Sequence, residues 1–377
     1  MSCTAEKLMT DFRLSDQPRC WVEIDAQAIQ HNLHRVRDLV PNSQVMAVIK
    51  SNGYGHGMVL AARQLNLADE FAVTSIEDVK KLHAQNIHKP LTLLSSTFNS
   101  DDLDYFANHR ISPVIYDYEQ LDAVCQAEKD GSLDIWVKVD TGMGRLGFAV
   151  EEVVSVCARL VKSSRVGHIS MMTHLANADV PTDERNQRQL SLFREVLQAL
   201  DDNNIAIKRA SILNSAGVVG MSDAAFNIVR PGIMLYGISP IPGTSAEALG
   251  LHAVMDFKAS VISVRRMPAG STIGYGGSYT LDADSRIAYI AAGYGDGYPR
   301  HAKTGTTVCV NGYLVPLVGR VSVDMIAVDI GELPVAVGDL AVLWGKDNPI
   351  EQVAVDAGTI AYELTCGITE RVARKAL

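Results

Sequence analysis

The stretch VMAVIKSNGYGHG, residues 45–57, decides how the chain is read. Its first half, VMAVIK (45–50), is a short apolar run that ends on a lysine. Its second half carries three glycines and breaks any regular element. Runs of the same kind recur downstream: FAVTS (71–75), LTLLS (91–95), ISPVIY (111–116), DIWVKV (134–139), HISMMT (168–173), RASIL (209–213) and FNIVR (226–230). They are short and rich in β-branched residues, which suits strands buried on both faces. Helical-period segments lie between them, at 57–66, 76–86, 118–129, 149–162 and 185–201. Eight strands alternating with helices over this length predict an α/β chain that begins with a (β/α)8 TIM-type barrel, for which ~250 residues is typical. Periodicity alone also leaves a doubly wound sheet open.

Past Tyr236 the texture changes. Residues 238–250 (ISPIPGTSAEALG) have the composition of a linker. After it come strand-like runs at 254–265, 286–292, 307–310, 313–318, 321–329 and 339–344, with one helical pattern at 351–361. The predicted organisation is an N-terminal extension (1–20), a barrel (21–245) and a smaller, mostly-β C-terminal domain (246–377).

At 377 residues the chain is longer than one ordinary core requires, in keeping with two domains. The formal charge of −9 argues against a nucleic-acid or anionic-membrane partner. No apolar stretch is long enough to span a bilayer. Residues 1–20 contain no apolar core of a secretory signal, so a cytoplasmic protein is expected. The six cysteines have neither CxxC nor zinc-like spacing, and they read as reduced packing thiols with no metal site.

In a barrel of this kind, chemistry sits at the C-terminal ends of the strands. Lys50 ends the first run. Lys138 lies at the end of the fifth, with Asp140 and Arg145 just beyond. His174 follows the sixth, Asn214 and Ser215 follow the seventh, and Arg230 ends the eighth, two residues before Gly232. Each has an ordinary explanation taken singly: a solvated strand end for the lysines, a carboxylate partner for Arg230, a helix cap for Ser215. Their convergence on one rim is harder to explain that way. The glycine-rich turn after Lys50 and the segments NSAG (214–217) and RPG (230–232) offer backbone N–H groups where barrels often hold a phosphate. A phosphate anchor beside a lysine suits a cofactor whose aldehyde condenses with that amine, and pyridoxal 5′-phosphate is the candidate.

The motifs AVIKSNGYGHG (47–57), KVDTGMGRLGF (138–148), MTHLANAD (172–179), NIVRPGIMLYG (227–237), IGYGGSYT (273–280), GYGDGYPR (293–300) and VGRVSVDM (318–325) together resemble, in order, those of the alanine racemase family. The resemblance implies that Lys50 carries pyridoxal phosphate and is one general base, with Tyr275 the base on the opposite face. It implies that Arg230 faces the pyridine nitrogen beside His174, and that Tyr54, Asn214, Ser215, Gly232, Ile233 and Tyr362 help hold the cofactor. Arg145 would orient the substrate carboxylate, supported by a carbamylated Lys138. Tyr275, Val323 and Asp324 would reach the substrate in the active site of the partner subunit of a homodimer. The implied reaction interconverts L- and D-alanine, serving peptidoglycan or alanine catabolism. Val323 stands where the family usually has methionine, which opens the alternative of serine or another small amino acid. A barrel-fold decarboxylase using the same cofactor is the other alternative, but the chain shows no group for a longer charged substrate.

Overall fold

A computed structural model describes residues 18–127 and 131–377. The strand Cys20–Ile24 (β1) comes first. The eight barrel strands follow: Gln44–Val48 (β2), Glu70–Val73 (β3), Leu91–Leu93 (β4), Ile111–Ile115 (β5), Leu133–Lys138 (β6), Val166–Met172 (β7), Ile207–Ser211 (β8) and Ile228–Val229 (β9). Neighbours from β2 to β8 pair in parallel, and β9 pairs back onto β2 through Gln44↔Ile228 and Val45↔Val229. Between β8 and β9 the connection is the single bridge Asn214↔Arg230, so the barrel is nearly closed. The strands lie within a few residues of the predicted runs. Those for the seventh and eighth are displaced or shortened because the chain leaves the sheet early to form the mouth.

Inside the barrel, Met46, Val48, Ala72, Val114, Trp136, Met172 and Ile228 form one packed layer. Below it the buried Glu70 takes an ion pair from Arg209 (2.7 Å) and a hydrogen bond from Thr92. The Arg209 guanidinium lies over Trp136, 5.0 Å from the ring centre. Packed residues and this paired charge thus separate the space at the C-terminal end from a cavity of about 450 Å³ at the N-terminal end, lined by Glu70 and Arg209. The helix Ala26–Leu39, like Ser100–His109, is not among the predicted segments. Asp25 caps it by accepting from the N–H of Ala28 (3.0 Å). Ala28, Ile29, Leu33 and Val36 form its buried stripe at helical spacing.

The C-terminal domain contains Met255–Met267 (β10), Thr272–Ile273 (β11), Tyr279–Thr280 (β12), Ser285–Ile290 (β13), Thr307–Val310 (β14), Tyr313–Pro316 (β15), Ile326–Asp329 (β16), Leu340–Trp344 (β17) and Ala373–Ala376 (β18). Their main sheet runs β15-β14-β17-β10-β1-β18, with β13 and β16 continuing from β10. Two expectations need correction. Residues 20–24 do not begin the barrel: β1 pairs antiparallel with β10 and parallel with β18. Cys20, Trp21, Val22 and Ile24 are all buried, and strands of the second domain's sheet pair both edges of β1. The run 321–329 is strand only from Ile326, because Ser322 N–H donates to the carbonyl of Met325 (3.0 Å) and turns the chain. Among the described residues no helix is long and apolar enough to cross a membrane.

Candidate active site

Lys50 opens a turn rather than closing a strand, since β2 ends at Val48. Ser51, Asn52, Gly53, Tyr54 and Gly55 follow with φ of 52, 54, 62, 49 and 83°, five successive residues in the left-handed region. That conformation costs about 1–2 kcal/mol for each residue other than glycine, so the turn has to be held. Gly53 N–H donates to Ile49 O (2.9 Å), Gly55 N–H to Ser51 O (3.0 Å) and Gly57 N–H to Asn52 O (2.8 Å). The Asn52 side chain also accepts from the N–H of Met58 (3.0 Å), where the next helix starts. A Cβ at Gly55 would stand 1.9 Å from the carbonyl oxygen of Thr365. The bare glycine lets the turn lie against the helix Ala361–Cys366, which brings Tyr362 and Cys366 to the barrel mouth.

The mouth encloses a cavity of about 480 Å³. Lys50, Tyr54, Lys138, Arg145, His174, Asn214, Ser215, Arg230, Gly232, Ile233 and Tyr362 all line it. Four of these are cationic, and no carboxylate is among the lining residues. A second cavity of similar size, about 440 Å³, sits where the domains meet; Asp25, Glu247, Glu351 and Lys346 contribute its charges, mostly negative. Size does not separate the two spaces, but charge does: the barrel mouth is built for an anion.

Arg230 is 6% exposed. Its guanidinium donates to the hydroxyl of Ser211 (2.5 Å) and the carbonyl of Thr173 (2.6 Å), with His174 Nδ1 at 3.5 Å. Among the described residues no carboxylate pairs with it, so the ordinary explanation of this arginine fails. Burial lowers its pKa to about 10, which still leaves it a cation at neutral pH. A buried cation with neutral protein partners keeps donor capacity for an acceptor placed in the cavity.

His174 sits beside this charge, and burial, followed by Arg230, Arg145, Lys138 and Lys50, depresses its pKa to about 3. Its ring is therefore neutral. The buried Gln189 fixes the strand end behind it by donating to the carbonyl of His174 (3.0 Å) and to Thr141 Oγ1 (3.2 Å). Across the mouth, Asp140 gathers the N–H groups of Gly142 (2.9 Å), Met143 (2.8 Å) and Arg145 (3.1 Å). The loop returns to bridge Val139 with Phe148, which presents Arg145 towards the cavity. Burial, then Arg145 and Arg230, lowers Lys138 to about 8. Burial and then Arg145 likewise hold Lys50 below its ordinary value.

Opposite the lysines the backbone forms a cradle. Asn214 caps the short helix Ser215–Gly220 through the N–H of Gly217 (2.9 Å). Ser215 Oγ accepts from the N–H of Gly232 (2.8 Å) and lies 3.4 Å from that of Met234. A Cβ on Gly232 would come within 2.5 Å of the Tyr54 hydroxyl, so side-chain bulk is excluded where the two segments meet. Tyr54 in turn packs against Tyr236 and Tyr362, with ring centres 5.2 and 6.1 Å away.

Three predicted residues lie elsewhere. Tyr275, in the turn between β11 and β12, is 65% exposed; Val323 is 38% exposed and Asp324 is on the surface beside it. None lines the cavity of its own chain. The cavity also uses Val48, Leu94, Ser95, Leu146, Met172 and Cys366, which the sequence reading did not single out. Val48, Leu94, Ser95 and Met172 fall at or just past strand ends, so the rule that located the lysines reaches them too. Gln189 and Thr141 carry no such signal; their roles depend on contacts between distant elements.

The profile of the alanine racemase N-terminal domain matches residues 24–240, and that of the C-terminal domain matches residues 254–376. An alanine racemase of Shewanella woodyi is 43% identical over 353 residues, covering 93% of this chain and 97% of that protein. One of Vibrio cholerae is 42% identical over 351 residues, covering 93% and 96%. Among solved structures, the alanine racemase of Acinetobacter baumannii superposes with a TM-score of 0.90 at 34% identity, covering 96% of this chain and 100% of that one. The biosynthetic alanine racemase of Pseudomonas aeruginosa does so with a TM-score of 0.90 at 36% identity and the same coverage.

Proposed function

The chain belongs to the alanine racemase family, and we propose that it interconverts L- and D-alanine at the barrel mouth, with Lys50 and Tyr275 handling the α-proton from opposite faces. The observation that carries this reading is the cavity lined by four cations and no carboxylate, with Arg230 buried among neutral partners.

Members of the family work with pyridoxal 5′-phosphate, and the residues present fit it. The cradle of Ser215, Gly232 and Ile233, with Asn214, Tyr54 and Tyr362 around it, suits the phosphate. Lys50 suits the aldehyde, and Arg230 beside His174 suits the pyridine nitrogen. When bound, the cofactor draws off the negative charge left on the substrate's α-carbon.

Everything else falls to the chain. Inverting a stereocentre by proton transfer needs a base on one face and an acid on the other. Lys50, its pKa lowered by burial and Arg145, more readily presents a neutral amine to accept a proton. The Tyr275 hydroxyl delivers one to the other face, and the roles exchange in the reverse direction. Arg145 holds the substrate carboxylate. Lys138, lowered to about 8, is suited to carbamylation, since carbon dioxide adds to the neutral amine. Arg230 can only donate hydrogen bonds, so it does not protonate the pyridine nitrogen, which restrains side reactions.

Because Tyr275 and Val323 stand exposed and line no cavity of their own chain, we assign them with Asp324 to the active site of a second subunit. The assembly is a homodimer with shared sites, each C-terminal domain facing the partner's barrel.

The test is incubation with L-alanine in deuterium oxide. Optical rotation should decay as deuterium enters the α-position, and Lys50→Ala should lose both. Rotation that persists with the unaltered enzyme, or decays equally fast in Lys50→Ala, would contradict the assignment.

A further inference from the structure

We propose that Arg19 and Arg371 are positioning residues that hold the segment 323–325 at its working place, both anchored on the buried carboxylate of Asp296, and that this clamp sets discrimination among small amino acids. The proposal rests on the reading above that this segment reaches a second subunit's site.

Asp296 is fully buried in the turn 293–297. One carboxylate oxygen accepts from the N–H of Gly293 (2.9 Å) and pairs with Arg19; the other lies 3.1 Å from Arg371 Nε. Both guanidiniums then extend to Asp324. Arg371 donates to its Oδ1 (2.7 Å). Arg19 donates to its main-chain carbonyl (2.8 Å) and comes within 3.7 Å of Oδ1. Charge alternates through the group, and both ends of the Asp324 residue are gripped, side chain and main chain.

The backbone supports the same placement. Tyr294 N–H donates to Ser322 O (3.0 Å) and Gly295 N–H to Val323 O (2.8 Å). Thr369 Oγ1 donates to the carbonyl of Gly295 (3.0 Å), tying in the C-terminal segment. Residues from 19, 293–297, 322–325 and 369–371 are thus locked together. Val323, next to the gripped residue, keeps its side chain exposed.

An ordinary surface ion pair contributes little, and Arg19 and Arg371 are each partly exposed. This group differs in sharing one buried anchor, so losing either arginine leaves the Asp296 charge half-compensated and one grip on Asp324 released. The consequence falls on the geometry of the exposed segment. Arg19, immediately ahead of β1, thereby gains a part in substrate recognition.

The experiment measures kcat and KM of the holoenzyme for L-alanine and L-serine in Arg19→Gln, Arg371→Gln, Arg371→Lys and Val323→Met. We expect KM for alanine to rise about tenfold in Arg371→Gln with a smaller change in kcat, since small misplacements tell strongly on bound geometry. The alanine-to-serine ratio of kcat/KM should move in both glutamine variants, and Arg371→Lys should recover part of it. On an Asp324→Asn background, Arg371→Gln should add little, because the arginine acts through that carboxylate. If Val323→Met shifts the ratio while neither glutamine variant does, or if Arg371→Gln acts in full on the Asp324→Asn background, the clamp is refuted and the shared site stands. If Val323→Met leaves the ratio unmoved as well, the shared-site reading falls, and the clamp with it.

Discussion

The barrel mouth and the outer face of the C-terminal domain treat their polar residues in opposite ways. At the mouth, eleven of the predicted residues, from five strand ends and one C-terminal helix, converge on one cavity. The pKa values of Lys50, Lys138 and His174 are displaced by burial and by neighbouring cations. On the outer face, Tyr275, Val323 and Asp324 stand at the surface with no cavity of their own chain behind them. A tyrosine that is 65% exposed is in no position to exchange protons selectively, because open water would do so as well. The mouth is a site lacking an acid on one face, and the outer face is an acid lacking a site. Each makes chemical sense when set against the other in a second copy.

This contrast orders the consequences of substitution. Tyr275→Phe keeps the ring and removes the hydroxyl, so activity should fall about 10²–10⁴-fold in both directions, measured as initial rates from L- and from D-alanine. Full activity in that variant would remove the outer face from the chemistry. Gly232→Ala should act at the mouth alone. Its Cβ would crowd the Tyr54 hydroxyl at 2.5 Å, so cofactor affinity should drop by roughly 10–100-fold, equivalent to about 1–3 kcal/mol. A cofactor titration followed by absorbance reads this directly.

Acid should also destabilise the fold through two buried histidines, His174 at the mouth and His56 at the cavity where the domains meet. His174 and His56 are depressed from 6.5 to about 3 and about 4, in each case chiefly by burial. The native state refuses protons that the unfolded chain accepts below pH 6.5, so their contribution is intact above that pH and is lost as pH falls towards 4 and 3. Denaturation midpoints at pH 7, 6 and 5 should therefore decline, and His174→Asn should flatten the decline by about 1 kcal/mol. The smallest effect belongs to the outer face. Val323→Met should change the alanine-to-serine preference by about fivefold, within what a methylene or two achieves, and leave cofactor binding unaltered.

The same contrast explains what the sequence discloses. The mouth is legible because barrel topology turns linear positions into one rim: Lys50, Lys138, His174, Ser215 and Arg230 all follow apolar runs that the eye can count. The outer face is not. Tyr275 in a glycine-rich hairpin looks like any packing tyrosine, and only resemblance to a family gives it a role. Strand β1 escapes notice for a related reason: CWVEI precedes the barrel in sequence, yet its partners are β10 and β18, more than two hundred residues away. The left-handed turn after Lys50 is half legible, since Gly53 and Gly55 announce a break, whereas Ser51, Asn52 and Tyr54 enter that region only because surrounding hydrogen bonds hold them there.

If the two regions complete each other, one working site needs Lys50 of one chain and Tyr275 of another. Lys50→Ala and Tyr275→Phe can be mixed, unfolded and reassembled together, and the activity of the product measured. Neither variant alone should racemise alanine at an appreciable rate. If the site is shared, half of the randomly assembled dimers are mixed, and each of these holds one intact site, so about a quarter of the unaltered enzyme's activity should return. If activity stays at the level of the separate variants, although mixed dimers form, then Tyr275 serves its own chain's barrel or no barrel at all, and the shared site is wrong.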